Sequence, residues 1–294
     1  MTLWSLKRHL NGWAHLSLAL GLAVGVGCRA AEVTGQAVDS YVRTEMAKRR
    51  IPGLALAVVQ GRQVRKLSTY GVANIELSVP VRPQTVFNLA SISKVFTSVA
   101  VMSLVEAGKL ELDDPIGKYL DQLPQSWHRV TVRQLLSHTS GLPDIVINAD
   151  VSLATVAEKT PVALQILRDR PLDFEPGKKW RYNQTNYLLL SMLIEKLSGQ
   201  SFAAYCKTHL FAPFGIESAV YADERKIVPR RASEYTILDV ANDKLLDHLE
   251  ALDYRASPML DPAGGLNISI TDFSRWLEAL ENGKLLSRQS LDLL

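Results

Sequence analysis

From Gly35 to about Lys48 the apolar positions Val38, Tyr41, Val42 and Met46 recur near helical spacing, and Ile51-Pro52-Gly53 ends the helix this predicts. Leu54 to Val59 is a continuous apolar run of strand length. Gln60-Gly61-Arg62 reads as a turn and Val64 to Tyr70 alternates enough for a partner strand, so a hairpin is expected. Residues 71–86 read as a loop. In the next helix Val95, Phe96, Val99, Ala100, Val101, Met102, Leu104 and Val105 leave little polar face. That helix should be buried, with Ser91 at its N-terminal end and Gly108 closing it. Asp114 followed by Pro115 reads as a helix start, with the aspartate as cap and the proline in the first turn. Thr131-Val132-Arg133-Gln134 is a capping box for a short helix through Leu136, which runs into a turn over His138 to Pro143. Glu175-Pro176-Gly177 is another turn. A second buried helix reaches Leu197 with Gly199 at its end, and Ser269-Ile270-Thr271-Asp272 caps a helix through about Leu280. Residues 219–261 are mixed and charged and carry no clear period. No repeat or low-complexity tract interrupts the chain.

The N-terminus departs from this globular pattern. Lys7 and Arg8 precede an apolar run from about Trp13 to Gly27, followed by Cys28-Arg29-Ala30-Ala31, so residues 1–30 read as a secretory signal peptide. The run is short for a bilayer span. A secreted or periplasmic protein is expected, reaching a membrane only through a retained N-terminal anchor or a lipid on Cys28. Against the lipid, lipoprotein signals prefer leucine three residues before the cysteine, and Gly25 stands there. Cys206 then has no partner, so no intrachain disulfide is expected and the thiol reads as buried filler.

Charge changes the picture little. The formal net charge of the 294 residues is +3, with 33 basic and 30 acidic side chains. Lys7, Arg8 and Arg29 account for all of it, and without them the chain is neutral. No basic stripe with interleaved aromatics is present, so nucleic acid is not an expected partner. With 47% apolar and 21% charged residues, the composition suits one large domain or two interleaved lobes.

Candidate chemistry concentrates in Phe87-Asn88-Leu89-Ala90-Ser91-Ile92-Ser93-Lys94. Ser91 and Lys94 are three residues apart and share a helix face, so the amine lies within reach of the hydroxyl proton. An ordinary lysine with pKa about 10.4 is protonated at neutral pH and is no base. Desolvation in the apolar helix is what would release it. Ser-x-x-Lys alone is a weak signal, since about one match is expected by chance in a chain of this size. His138, at a helix end, reads as a hydrogen-bonded structural residue. No Gly-x-Ser-x-Gly follows a strand, which argues against an alpha/beta-hydrolase, and the six histidines show no paired ligand spacing, so neither metal nor cofactor is expected.

Several segments, taken in order, resemble the serine beta-lactamase and penicillin-binding protein superfamily, in its class C-like and D,D-peptidase or esterase-like branch. They are Ile51-Pro52-Gly53, Phe87 to Lys94, Leu112-Asp113-Asp114-Pro115, Leu135 to Leu142, Pro176-Gly177 to Tyr187, and Gly264-Gly265 to Asp272. The resemblance covers roughly residues 36–294. It implies an α+β beta-lactamase/transpeptidase-like fold, an antiparallel sheet with a packed helical lobe. It also implies Ser91 as acylated nucleophile, Lys94 as its proton partner and Tyr182 as the second-motif tyrosine. The implied activity is serine hydrolysis through an acyl-enzyme, on a beta-lactam, a D-alanyl peptide or a small ester. Two departures stand out. The usual Tyr-x-Asn is here Tyr182-Asn183-Gln184, which leaves Gln184 as a substrate-binding candidate with its amide one methylene further out. Neither Lys-Thr-Gly nor His-x-Gly occurs in these residues. In the resemblance that third motif lies on a late strand that supplies one of two oxyanion-hole N–H groups. The expectation is therefore a truncated chain with an incomplete sheet, and a catalytically impaired homologue or a non-catalytic binding protein of the same fold is the alternative reading.

Overall fold

The computed structural model describes residues 35–146, 164, 167–222, 226–239, 242, 244–252 and 258–294. The signal-peptide reading of residues 1–30 and Cys28 lies outside them. The chain divides into two compact units, one of Met1–Leu54, Tyr70–Pro80 and Ser233–Asp253, the other of Ala55–Thr69, Val81–Ala232 and Tyr254–Leu294.

In chain order the elements begin with α1 (Gly35–Arg49), β1 (Gly53–Gln60), β2 (Gln63–Asn74), β3 (Val79–Pro80) and β4 (Val86–Asn88). They continue with α2 (Ser93–Glu106), α3 (Val132–Leu136), α4 (Gln184–Ser198), α5 (Phe202–Cys206), β5 (Val220–Tyr221), β6 (Tyr235–Asp239) and β7 (Lys244–Ala251). The last are α6 (Asp261–Gly264), β8 (Leu266–Ser269), α7 (Ile270–Glu281) and α8 (Arg288–Leu291). Among the described residues the strands form sheets of order β1-β2-β3, β4-β8-β5 and β6-β7. The architecture is α+β, and no described helix is long and apolar enough to cross a membrane.

In the first unit, the Tyr70 hydroxyl donates to Asp39 on α1, and the Tyr235 hydroxyl on β6 donates to Glu76. Tyr235 Oη also accepts the Ile75 N–H at 2.7 Å, which satisfies a turn amide from a strand far along the chain.

The second unit is built around α2. Phe96 is fully buried, its ring centroid 4.1 Å from Trp276 of α7 and 5.9 Å from both Phe211 and Phe273. Burying a ring of this size contributes on the order of 2–3 kcal/mol by area removed from water. Leu188, Leu189, Leu190, Leu193 and Ile194 of α4 join the same core. Asn183 caps α4 by accepting the Asn186 N–H, and Gly199, with φ +70°, ends it in the left-handed conformation that glycine adopts without strain. Cys206 is a free buried thiol whose pKa is pushed up to about 12 by burial, as expected of an inert filler.

Three expectations need correcting. Residues 71–86 are not all loop, because β2 continues to Asn74 and β3 pairs back onto it. Asp114-Pro115 does not start an α-helix. The Ile116 N–H goes to Val130 O at 2.8 Å and the Gly117 N–H to His128 O at 3.1 Å, so only a 3₁₀ turn over Ile116–Lys118 forms. The helix that carries the lysine is not apolar-buried all round, because Val95 is 46% exposed.

Candidate active site

Ser91 sits in a 3₁₀ turn, Ala90–Ile92, that leads directly into α2. β4 and β8 pair antiparallel, Phe87 opposite Ile268, and Leu89 N–H donates to Leu266 O at 2.8 Å, so the residue entering the turn is tied to the buried strand. Ala90 has φ +43°, a left-handed backbone that is unusual for a residue with a side chain and costs roughly 1 kcal/mol or more. The Ala90 N–H is held by Asn88 Oδ1 at 2.7 Å. Ser91 emerges exposed at this bend while Lys94, one turn on, is buried.

Three side chains converge. Lys94 Nζ lies 3.3 Å from Ser91 Oγ, and the Tyr182 hydroxyl donates to Ser91 Oγ at 2.7 Å. Lys94 Nζ also donates to Ala263 O at 2.7 Å and lies 4.8 Å from the centroid of the Tyr182 ring and 5.4 Å from that of Tyr187. Burial pulls the Lys94 pKa below its ordinary value, against the opposing pull of Tyr182 and Asp144 toward the charged form. Desolvation wins, so the neutral amine is more accessible here than on a surface lysine. The arrangement places a hydroxyl nucleophile between a depressed-pKa amine and a phenol, which is a kit for moving the nucleophile's proton.

The second motif is fastened to the turn after α3. The Arg181 N–H donates to His138 O at 2.9 Å and the Asn183 N–H to His138 Nδ1 at 3.1 Å. Asn183 Nδ2 donates to Leu142 O at 2.6 Å, Thr185 Oγ1 to Pro143 O at 2.8 Å, and the Gln184 N–H to Asp144 Oδ2 at 3.0 Å. The turn tolerates this only with a glycine at 141. Its φ is +72°, and a Cβ there would lie 2.0 Å from Phe174 O. Gly141→Ala is therefore expected to lower stability by about 2 kcal/mol or more, read as a shifted midpoint in urea unfolding.

The family model described as Beta-lactamase matches residues 38–294. The chain belongs to the beta-lactamase family. Penicillin-binding protein 4* of Bacillus subtilis (strain 168) is 32% identical over 254 residues, which are 83% of this chain and 55% of that protein. Protein flp of Staphylococcus aureus (strain MW2) is 27% identical over 190 residues, 63% of this chain and 38% of its own length. The chain thus spans about half or less of these two relatives. Among solved structures, the octameric penicillin-binding protein homologue from Pyrococcus abyssi has a TM-score of 0.71 at 27% identity, covering 87% of this chain and 59% of its own. The D-amino acid amidase from Ochrobactrum anthropi SV3 complexed with L-phenylalanine amide has a TM-score of 0.71 at 25% identity, covering 84% of this chain and 70% of its own.

Within this beta-lactamase family member, the structure brings Ser91, Lys94 and Tyr182 together. Gln184 opens α4 two residues beyond Tyr182, but its side chain makes no hydrogen bond to Ser91, Lys94 or Tyr182. Among the described residues, no group of three His, Cys, Asp or Glu is placed to hold a metal. Sequence reasoning missed Ala263 O and Asp144. The first is a backbone acceptor with no side-chain signature, and the second reaches the segment after Tyr182 through a contact 40 residues away.

Removing the phenol oxygen isolates its share. Tyr182→Phe keeps the ring beside Lys94 and loses only the hydroxyl bound to Ser91. Stopped-flow acylation is expected to slow by on the order of 100-fold, with the unfolding midpoint unchanged.

Proposed function

We propose that the chain is a serine hydrolase that works through an acyl-enzyme on Ser91, with amides or peptides of D-amino acids as its substrate class. The observation that carries this reading is the joint approach of Lys94 Nζ and Tyr182 Oη to Ser91 Oγ, at 3.3 and 2.7 Å. In the first half-reaction Ser91 Oγ attacks the carbonyl carbon and its proton passes to the neutral Lys94 amine, directly or through Tyr182. A tetrahedral oxyanion forms beside the 3₁₀ turn that leads into α2, whose N-terminal end favours negative charge. The carbon–nitrogen bond then breaks and the leaving amine takes the proton back from Lys94 or Tyr182. Water next attacks the ester carbon, gives its proton to the same pair, and Ser91 Oγ leaves with a proton restored.

The substrate class is supported by likeness: two relatives are described as penicillin-binding proteins and a third as a D-amino acid amidase. The basic pair Lys7-Arg8 ahead of the Trp13 to Gly27 apolar run supports action outside the cytoplasm. Intact-protein mass after mixing with a fluorescent penicillin, a D-alanyl peptide and a D-amino acid amide tests the reading. The expected result is a stoichiometric adduct with the penicillin and release of amine from the D-configured donors in preference to the L. Folded protein that forms no adduct and releases no amine would contradict it and favour a non-catalytic member of the family.

A further inference from the structure

His138 lies outside the Ser91–Lys94–Tyr182 group, yet it is bonded to both neighbours of the tyrosine. We propose that His138 is the positioning residue that holds Tyr182 over Ser91, by accepting with its carbonyl oxygen and its ring Nδ1 the two backbone N–H groups that flank Tyr182. The inference rests on the acyl-enzyme reading above for its kinetic consequence, and on the geometry alone for its structural one.

The two bonds are Arg181 N–H to His138 O at 2.9 Å and Asn183 N–H to His138 Nδ1 at 3.1 Å. One residue thereby grips the strand-like segment on either side of Tyr182 and leaves the tyrosine no freedom to slide along the turn. A carbonyl and a ring nitrogen reach the same segment from a residue with φ +59°, a left-handed backbone that side-chain-bearing residues seldom adopt. Such strain persists where the surroundings over-determine it, and here they do.

The protonation pattern of the ring follows from its partners. Asn186 Oδ1 accepts the Ser140 hydroxyl at 2.6 Å, so Asn186 turns its Nδ2 toward His138 Nδ1 at 3.3 Å. Nδ1 thus faces two donors, the Asn183 N–H and the Asn186 amide, and carries no proton of its own. The ring also lies tilted against the group it positions, its centroid 4.6 Å from that of Tyr182 and 5.3 Å from that of Tyr187. Burial and the nearby Lys94 charge push the His138 pKa down to about 4, which agrees with a neutral acceptor.

The placement explains why a histidine serves. An apolar side chain in this buried turn would orphan the Asn183 N–H and leave the Asn186 amide without its acceptor. Asparagine is the closest substitute, because its Oδ1 falls near the Nδ1 position and it tolerates a left-handed backbone. Glutamine sets its acceptor one methylene too far out, near where Nε2 stands.

His138→Asn, His138→Gln and His138→Ala test the proposal with two readouts. The first is the acylation rate constant at saturating donor, measured apart from the half-saturating concentration. His138→Ala and His138→Gln are expected to lower the rate constant by on the order of 100-fold, the loss that a misplacement of about 1 Å produces, with half-saturation moved by less than about threefold. His138→Asn should recover to within about tenfold of the parent. The second readout is hydrogen exchange in a peptide spanning residues 179–184. Protection at Asn183, whose N–H the ring Nδ1 accepts, should fall in the alanine and glutamine variants and persist in His138→Asn, whether or not the protein turns over; Arg181, held by the backbone carbonyl that every variant keeps, is the internal reference. If His138→Ala does not fold, His138→Gln carries the comparison. A parent protein that is never acylated would overturn the acyl-enzyme reading, and the exchange pattern would then decide the positioning role alone. Parent-like acylation or unchanged protection in both acceptor-displaced variants would overturn the proposal, as would His138→Asn behaving like alanine.

Discussion

Ser91→Ala abolishes every covalent adduct with a fluorescent penicillin and every trace of amine release above the water reaction, while the protein unfolds at its parent midpoint. Both halves of this expectation come from the same geometry. Ser91 is exposed, and its hydroxyl caps neither the 3₁₀ turn it sits in nor the helix that follows, since the N-caps there are Leu89 and Ile92 and neither makes a side-chain cap bond. Among the described residues, its hydroxyl bonds only to Lys94 and Tyr182. Removing an exposed oxygen of this kind shifts stability by no more than about 0.5 kcal/mol. Among the described residues, no other serine hydroxyl is hydrogen-bonded to Lys94 or Tyr182. Ser93, the nearest alternative, is fully buried, with its Oγ accepting the Leu266 N–H at 3.1 Å. Adduct formation in Ser91→Ala, mapped to any other residue, would displace the nucleophile from this site.

Lys94→Met separates stability from activity in the opposite sense. The ammonium is held in a pocket where burial disfavours its charge, and its compensation is one backbone carbonyl, Ala263 O at 2.7 Å, with the Ser91 and Tyr182 hydroxyls beside it. A methionine of similar length removes that desolvation penalty and orphans one acceptor, a gain and a cost of comparable size. The urea midpoint is expected to stay within about 1 kcal/mol of the parent. Acylation is expected to fall by on the order of 1000-fold, because the amine that takes the Ser91 proton in the proposed mechanism is gone. A variant that is both inactive and grossly unfolded would mark Lys94 as a structural residue. An active one would reassign the base.

Much of this was legible in the chain because the signals are local. The apolar face of α1, the turn at Gln60-Gly61-Arg62 and the Thr131 capping box each depend on residues within a few positions, and each element formed where its pattern lay. Gly108 and Gly199, both at positive φ, close α2 and α4 for the same reason. What escaped was set by distant partners. β8 is four residues, Leu266-Asn267-Ile268-Ser269, all buried, between β4 and β5. Its Asn267 is tolerated there because Nδ2 donates to Ala222 O and Gly265 O. No period marks such a strand. The hairpin of β6 and β7 hid behind charge, since Lys244-Leu245-Leu246-Asp247-His248-Leu249-Glu250 does not alternate and leaves Leu245 exposed. Asp114-Pro115 carried a helix signal that pairing with Val130 and Thr131 overrode.

The site divides the same way. Ser91 and Lys94 could be paired from spacing alone, because one turn brings them to one face. Tyr182 is 91 residues from Ser91 and was reached only through the resemblance, for no local rule joins them. His138 read as structural because it is a lone histidine at a helix end; its bonds to residues more than 40 positions away, on which the proposed role in placing Tyr182 rests, have no local signal.

In the proposed mechanism Lys94 works as a neutral amine. Only the deprotonated lysine accepts the Ser91 proton, so acylation is fast above the Lys94 pKa and is lost as pH falls through it. Burial lowers that pKa from the ordinary 10.5. The direct measurement is the rate of Ser91 acylation by a penicillin across pH 5 to 11, under single-turnover conditions. The expected result is an acid limb with its midpoint below the ordinary lysine value, absent from the residual activity of Lys94→Met. A rate that keeps climbing to a midpoint at about 10.4, the value of an unburied lysine, would contradict it.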